Sequence, residues 1–474
     1  MINVETRDIT PLTDFNENLF SGHSLYTAIR DIVDNCIDAE AKDIKIFLDK
    51  DDNGRDVLMV TDFGVGMPGD KLHLMAQKGF TTKRTGLLRN DGKRYLGKMG
   101  KGFKNVSAFF SNTGRVTVLS KTEDSKLWCM EYSQQRIADL QQHTVDVHEC
   151  VFRDSNDDKY RNLWNQKMRD GDDWASQGTM LVFRNLKTPV LNQLRRDLGL
   201  SGEASVKNTI HCISTMLGET YKFFIDEGVE IFTGVNYQSL FKVKSVDEMC
   251  GELPKEEKTF IIGDQTVIAK LYIIPATYKS SDVWYRPVNN QNSGIFVYRN
   301  NRLHLDNQER PLKPLLPEKA IQQYVYERTN GINRRKGKPK ETQDYTSFGE
   351  SHGRHNTVRM SLHFSDSNDT DFAVDVNKTD IQFTDSVSEL ALWIYDTVRQ
   401  NDRFTPPKTT TAPVVKTSGQ GVKNKLSKDW INIVKKHQTE IDKRKEEVVK
   451  NTNALQRLAV DVAIQQFIQK MTQD

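Results

Sequence analysis

The chain has 474 residues, 37% of them hydrophobic and 28% charged, with a formal net charge of +3. At ~150 residues per domain it holds two to four domains, each long enough to bury a core. No window approaches the ~18 consecutive apolar residues of a membrane span, and the opening MINVETRDIT lacks the basic and apolar regions of a secretory signal. The five cysteines (Cys36, Cys129, Cys150, Cys212, Cys250) stand singly, so they supply no zinc pair and argue against a disulfide framework. A reducing interior is the expected compartment: cytoplasmic, or nuclear in a eukaryote, with no membrane partner.

No internal repeat is visible. Residues 1–235 alternate helical and strand patterns, and a second mixed segment runs to about residue 400. Residues 401–424 include the Pro/Thr/Gly stretch FTPPKTTTAPVVKTSGQG, which reads as a flexible linker. Residues 425–474 read as a basic amphipathic helix, free of Pro and Gly from Leu426 to Met471. Within it Val434, Ile441, Val448, Leu455 and Val462 recur every seven positions, while His437, Arg444 and Asn451 spoil the companion seam. That leaves a coiled coil with a protein partner and an intramolecularly packed helix both open.

The first strong element begins at Ser24. Leu25, Ala28, Ile29, Ile32, Val33, Cys36 and Ile37 follow the i, i+3, i+4, i+7 spacing of an amphipathic helix. Asp31, Asn35 and Asp38 then stack on the opposite face, with Asp34 beside them. Such a face is either a solvated surface or the start of a magnesium–phosphate site, where an amide oxygen ligates the hard cation and a carboxylate positions water. Ile44–Leu48 and Val57–Val60 read as strands of an antiparallel hairpin around the turn Asp51-Asp-Asn-Gly54.

The second strand runs into Asp62-Phe-Gly-Val-Gly-Met-Pro68. Gly64 to Gly69 satisfies G-x-G-x-x-G, but Pro68 and the hairpin context speak against a dinucleotide fingerprint. Glycines after a strand-end Asp allow a flat ligand to approach the backbone, and a buried Asp accepts from an exocyclic amine, which selects adenine. A further cluster, Leu96-Gly-Lys-Met-Gly-Lys-Gly-Phe-Lys104, fails as a P-loop because Phe103 occupies the lysine position. Its backbone amides and Lys98, Lys101 and Lys104 nevertheless suit phosphate oxygens. Between the clusters, a stretch with Thr81, Thr82, Lys83, Arg84, Arg89, Lys93 and Arg94 reads as a mobile lid or as a solvated loop.

Taken in order, D-x-x-x-N-x-x-D-A on a helix, D-x-G-x-G-M after a strand, G-x-x-G-x-G-F-K before a helix and Gly178-Thr179 opening a strand resemble the Bergerat (GHKL) ATPases. That superfamily includes gyrase, the heat-shock chaperone, histidine kinases and MutL. The resemblance implies ATP and Mg2+ as cofactors. It places Asn35 on the magnesium, Asp62 on the adenine amine, and Gly64, Gly66 and Met67 at the base. Gly97, Lys98, Met99, Gly100, Lys101, Gly102 and Phe103 would cover the phosphates, with Asp38 and Lys83 at the nucleotide and Thr179 near Asp62. The family's water-activating Glu, four residues before the Asn, is Asp31 here, one methylene or ~1.5 Å shorter. Turnover is therefore expected to be slow unless the pocket compensates.

Further along, Gly294-Ile-Phe-Val-Tyr-Arg-Asn-Asn-Arg-Leu303 reads as two strands around an Asn-Asn turn, and Phe372–Phe383 alternates like a hairpin around Lys378. Beside a Bergerat domain these resemble the transducer of MutL and, more closely, of the microrchidia (MORC) ATPases. There a lysine in an Asn-Lys-x-Asp-like loop reaches the γ-phosphate, a role that falls to Lys378. The implied fold is α+β: a Bergerat ATP-binding α/β sandwich (1–235), a transducer-like α/β domain (236–400), the linker and the C-terminal helix. The resemblance covers about residues 15–390.

The expected activity is that of a Mg-dependent ATPase acting as an ATP-gated homodimeric clamp on DNA. The alternative is an ATP-sensing interaction protein with little turnover. The run Arg334-Arg335-Lys336-Gly-Lys338-Pro-Lys340 suits phosphate contacts, and equally reads as a plain charged loop. Charge is also uneven: from Asn401 onward 14 Lys/Arg face 8 Asp/Glu, whereas residues 1–400 carry 53 against 56. The near-neutral total hides a basic tail.

Overall fold

The computed structural model of the chain describes residues 4–11, 24–97, 100, 102–150, 159–170, 173–200, 212–274, 294–304, 358–374 and 381–401. By contacts the chain divides into Met1–Phe404 and Thr405–Asp474, and the described residues all belong to the first unit. The Arg334–Lys340 run, Lys378, Lys98, Met99, Lys101 and the expected C-terminal helix lie outside the described residues.

Helix α1 (Leu25–Asp38) forms where the apolar spacing places it. Ser24 caps it in a box with Thr27: the Thr27 N–H donates to Ser24 Oγ (3.2 Å) and the Ser24 N–H to Thr27 Oγ1 (2.7 Å). The strands up to Lys242 are β1 (Val4–Asp8), β2 (Asp43–Lys50), β3 (Asp56–Asp62), β4 (Val116–Lys121), β5 (Trp128–Tyr132), β6 (Thr144–Glu149), the short pair β7 (Arg169–Asp170) and β8 (Asp173–Trp174), β9 (Gly178–Phe183), β10 (Glu230–Gly234) and β11 (Phe241–Lys242). All but β7 and β8 join one nine-stranded sheet in the order β1-β6-β5-β4-β9-β3-β2-β10-β11. It is antiparallel except where β10 lies parallel to β2. The expected hairpin β2–β3 turns at Gly54, whose φ is +72°, and Asp51 Oδ1 accepts from the Asn53 and Arg55 N–H groups.

Alternation along the strands divides the core. Leu58 and Val60, with Leu181 and Phe183, face α1, α2 (Gly69–Leu72), α3 (Gly102–Phe110) and the helices Thr188–Leu198 and Ile213–Thr220. Val57, Met59, Met180 and Val182 face Trp164 of the helix Lys159–Lys167 on the other side. This is a layered α/β arrangement, and the chain is α+β as a whole.

A second sheet follows, made of β12 (Glu256–Ile262), β13 (Gln265–Ile273), β14 (Gly294–Arg299), β15 (Arg302–Leu303) and β16 (Val358–Phe364) in the order β12-β13-β16-β14-β15. One face packs on Leu390, Ala391 and Ile394 of the helix Ser388–Asn401. Hairpin β14–β15 turns where the Asn-Asn pair predicts. Asn300 (φ +49°) and Asn301 (φ +63°) are both left-handed, as the two-residue turn matching strand twist requires.

The expected hairpin over Phe372–Phe383 is not seen in its described parts. Phe372 and Ala373 form a turn, and Ile381–Thr384 has no regular structure. The two ends still meet: the Gln382 N–H donates to Phe372 O (3.0 Å), and the Phe372 and Phe383 rings pack edge to face at 5.5 Å. In the described parts, Phe372, Ile381 and Phe383 are buried without lying in a strand.

Candidate functional site

The polar face of α1 is not a solvated surface. Asn35 is exposed and Asp31 half-buried, but Asp34 and Asp38 are buried. Asp38 holds the start of the glycine loop, accepting from the Leu96 N–H (2.7 Å) and Gly97 N–H (2.8 Å). The Lys83 ammonium sits on both Asp38 Oδ2 (2.7 Å) and Asn35 Oδ1 (3.0 Å). One turn earlier, Asp31 faces the start of α3: a Cβ built on Gly102 would lie 3.8 Å from Asp31 Oδ2. Asp31, Asn35, Asp38, Lys83, Gly97 and Gly102 therefore share one corner.

At the floor of that corner Asp62 ends β3 and pairs in register with Thr179 of β9, which in turn pairs with Ser120 of β4. Burial pushes the Asp62 carboxyl up to about 7, against the Gly64 N–H, the Cys36 thiol and the Thr179 N–H, which favour the anion. The Gly64 N–H donates to Asp62 Oδ1 at 3.0 Å. Burial, and then the adjacent Asp62 charge, raises the Cys36 thiol well above its ordinary value. Met67 is held by its N–H on Ser120 Oγ (2.8 Å), which also meets Thr179 Oγ1 (3.2 Å). Two glycines are forced here. A Cβ on Gly64 would stand 2.4 Å from Ala39 O, and one on Gly66, at φ +67°, would stand 2.0 Å from Lys121 O.

Other sequence expectations change. Phe103 is buried in the core against the Tyr132 ring, with centroids 5.3 Å apart. Lys104 does not face outward toward phosphate. It is buried, and its ammonium donates to Met75 O (3.2 Å), Gln77 O (2.7 Å) and Gly100 O (2.8 Å), tying the lid's start to the glycine loop. Burial, with Lys78 nearby, lowers its pKa to about 7.

The lid itself is fastened. Arg89 is buried, donates to Ile37 O and pairs with Asp91. The Asn90 N–H donates to Glu40 Oε1 (2.8 Å), and Lys93 pairs with Glu227. Asp366, in the second sheet's half of the chain, accepts from Arg94 (2.9 Å) and from the Gly86 N–H (3.0 Å).

Asp34 carries a role that its spacing does not reveal. Arg302 Nε donates to Asp34 Oδ1 at 2.7 Å, with both side chains at 3% exposure or less, and the Tyr221 hydroxyl donates to the same oxygen at 2.8 Å. Burial works against the Arg302 charge, but Asp34, Tyr221 and Asp31 more than offset it, and its pKa is raised. Arg302, Tyr221, Asn300 and Asp366 escape sequence reading. The pair of arginines flanking Asn-Asn is the one local signal that could have found Arg302.

The chemistry of the donor set fits Mg-ATP. The Asn35 amide oxygen is turned into the corner, where it accepts from the Lys83 ammonium. Among the described residues no group of three or more His, Cys, Asp or Glu is placed to hold a metal. Asn35 would hold a magnesium brought in on the nucleotide's phosphates, which would need no such cluster. No helix among the described residues is long and apolar enough to cross a membrane.

Comparison with known proteins agrees with this corner. Residues 23–156 match the family described as Histidine kinase-, DNA gyrase B-, and HSP90-like ATPase. The match takes in α1, the β2–β3 hairpin, the Asp62 turn and the glycine loop, and it supports a GHKL-type ATPase domain that binds ATP. No curated protein matches the chain.

Proposed function

We propose that the chain is a Mg-dependent ATPase of the MORC/MutL-like branch, working as an ATP-gated homodimeric clamp on DNA. The observation that carries the ATPase reading is the corner where Asp31 and Asn35 of α1 meet the glycine loop held by Asp38. Asp62 would accept the adenine amine, with Gly64, Gly66 and Met67 along the base and Thr179 beside Asp62. Asn35 would hold the magnesium, and the metal would supply charge neutralisation of the phosphates. Asp31 would take the proton from the attacking water. The Gly97–Gly102 amides, with Lys98, Met99 and Lys101, would surround the phosphates. Lys378 would meet the γ-phosphate, and Arg334, Arg335, Lys336, Lys338 and Lys340 would contact DNA phosphates.

The clamp reading is tested by size-exclusion chromatography with light scattering on the full chain. The chain should be monomeric alone and dimeric with a non-hydrolysable ATP analogue, with DNA retained on the dimer. A monomer under every condition refutes the clamp.

A second reading, an ATP-sensing scaffold with little turnover, is favoured by one observation: Lys83 occupies the amide oxygen that the metal would take. In that reading wild type and Asp31→Asn bind ATP alike and release phosphate equally slowly.

A further inference from the structure

Among the described residues, the turn of the β14–β15 hairpin brings the second sheet to the ATPase corner. Across residues 299–302, three side chains leave the β14–β15 hairpin and end on elements next to the proposed phosphate site. Arg299 donates to Leu96 O (3.2 Å) while held by Asp369 in a two-point pair (2.5 and 2.8 Å). Asn300 donates from Nδ2 to Tyr95 O (2.9 Å) and accepts the Asp366 N–H (3.1 Å). Arg302 pairs with Asp34, between Asp31 and Asn35 on α1.

Leu96 is gripped from both sides, its N–H by Asp38 of α1 and its carbonyl by Arg299 of the turn. The peptide immediately before the glycine loop is therefore fixed jointly by the two sheets' halves of the chain. Stability alone is a poor account of this arrangement. A buried Arg–Asp pair is desolvated at a cost close to its Coulombic gain, and an apolar pair of equal volume would do as well or better. The turn also holds two non-glycine residues in the left-handed region. What the charges provide is direction: a bonded Asp34 fixes the rotation of α1, and with it where Asp31 and Asn35 point.

We propose that the Arg299–Arg302 turn is a positioning device for hydrolysis, with Arg302 acting through Asp34 on Asp31 and Asn35, and Arg299 and Asn300 acting through residues 95–96 on the glycine loop. The proposal rests on the ATPase reading above. A displacement of the second sheet would move the proton-accepting carboxylate and the phosphate loop together, which lets one half of the chain gate the chemistry of the other.

The test compares full-length wild type, Arg302→Met, Arg302→Lys, Asp34→Asn, the Asp34→Asn/Arg302→Met double variant and Asn300→Gly. Asn300→Gly keeps a residue at ease in the left-handed turn while deleting the amide. Steady-state phosphate release gives kcat and KM, and a fluorescent ATP analogue gives equilibrium affinity. Arg302→Met should lower kcat by about 10- to 100-fold, the usual cost of misplacing a reacting group by an ångström, with ATP affinity within about threefold of wild type. Arg302→Lys should recover part of that loss, the double variant should be no worse than the worse single one, and Asn300→Gly should lose kcat with an unchanged melting temperature.

Unchanged kcat in both Arg302→Met and Asn300→Gly overturns the proposal. So does a parallel fall of kcat and ATP affinity that follows the melting temperature, since that is a purely structural role. Should Arg302→Met fail to fold, Asn300→Gly decides by the same criteria. A wild type that binds ATP without turning it over overturns the proposal and leaves the binding reading standing, whereas one that binds no ATP overturns both.

Discussion

Asp62 gives the sharpest quantitative test. In the free protein its carboxyl is pushed up to about 7, chiefly by burial. An adenine amine donating to it favours the anion, so binding expels a proton. With the ordinary value at 3.8, full restoration would be worth about 4 kcal/mol at 1.36 kcal/mol per unit, which is a ceiling on the coupling. Proton release follows the fraction still protonated, so it is larger at pH 6 than at pH 8. Calorimetry in buffers of different ionisation enthalpy measures it directly.

The triphosphate also titrates in this range, so the comparison is between a non-hydrolysable ATP analogue and its purine-riboside counterpart lacking the 6-amine. The difference isolates the Asp62 contact. It should be a fractional proton release near pH 7 that shrinks as pH rises, and it should vanish in Asp62→Asn. The sign for stability follows from the same shift. The folded state holds this proton up to about pH 7 and the unfolded chain only to about 4, so the free protein's stability from this group falls as pH rises across that window. Equal affinity and equal proton release for the two nucleotides would refute the placement of the base on Asp62.

Asp38→Ala removes the acceptor of two backbone N–H groups and one ammonium. It should cost about 2–4 kcal/mol by urea titration and weaken ATP binding, and an unchanged midpoint would contradict the anchoring role. DNA affinity should fall steeply with salt. Replacing Arg334 and Arg335 by alanine should flatten the slope of log K against log salt by about 2, and a salt-independent affinity would count against the loop as a phosphate contact.

The sequence makes local order legible here and long-range pairing illegible. The apolar period of α1, the Gly54 turn and the Asn300-Asn301 turn are each dictated within a few residues, and each forms as expected. The Asp31–Asp38 face also reads correctly as a cluster. Asp34 could not be placed, because its partners Tyr221 and Arg302 lie 187 and 268 positions away. Its spacing from Asn35 looks like that of any surface carboxylate.

Lys104 misleads for a related reason. Glycines and neighbouring lysines suggest phosphate, yet two of its three carbonyl acceptors, on Met75 and Gln77, lie 29 and 27 positions away. The basic lid likewise reads as mobile or solvated because Glu227 and Asp366, the partners of Lys93 and Arg94, lie 134 and 272 positions away. The near-zero net charge was the least informative quantity of all, since an acidic body and a basic tail cancel in it.

The most direct measurement is Mg-dependent phosphate release by the purified full chain, wild type against Asp31→Asn, with ATP binding measured in parallel. Both should bind ATP with similar affinity, and phosphate release, slow in the wild type, should fall below detection in the variant. Equal release by the two proteins, or no ATP binding by the wild type, would contradict the ATPase reading.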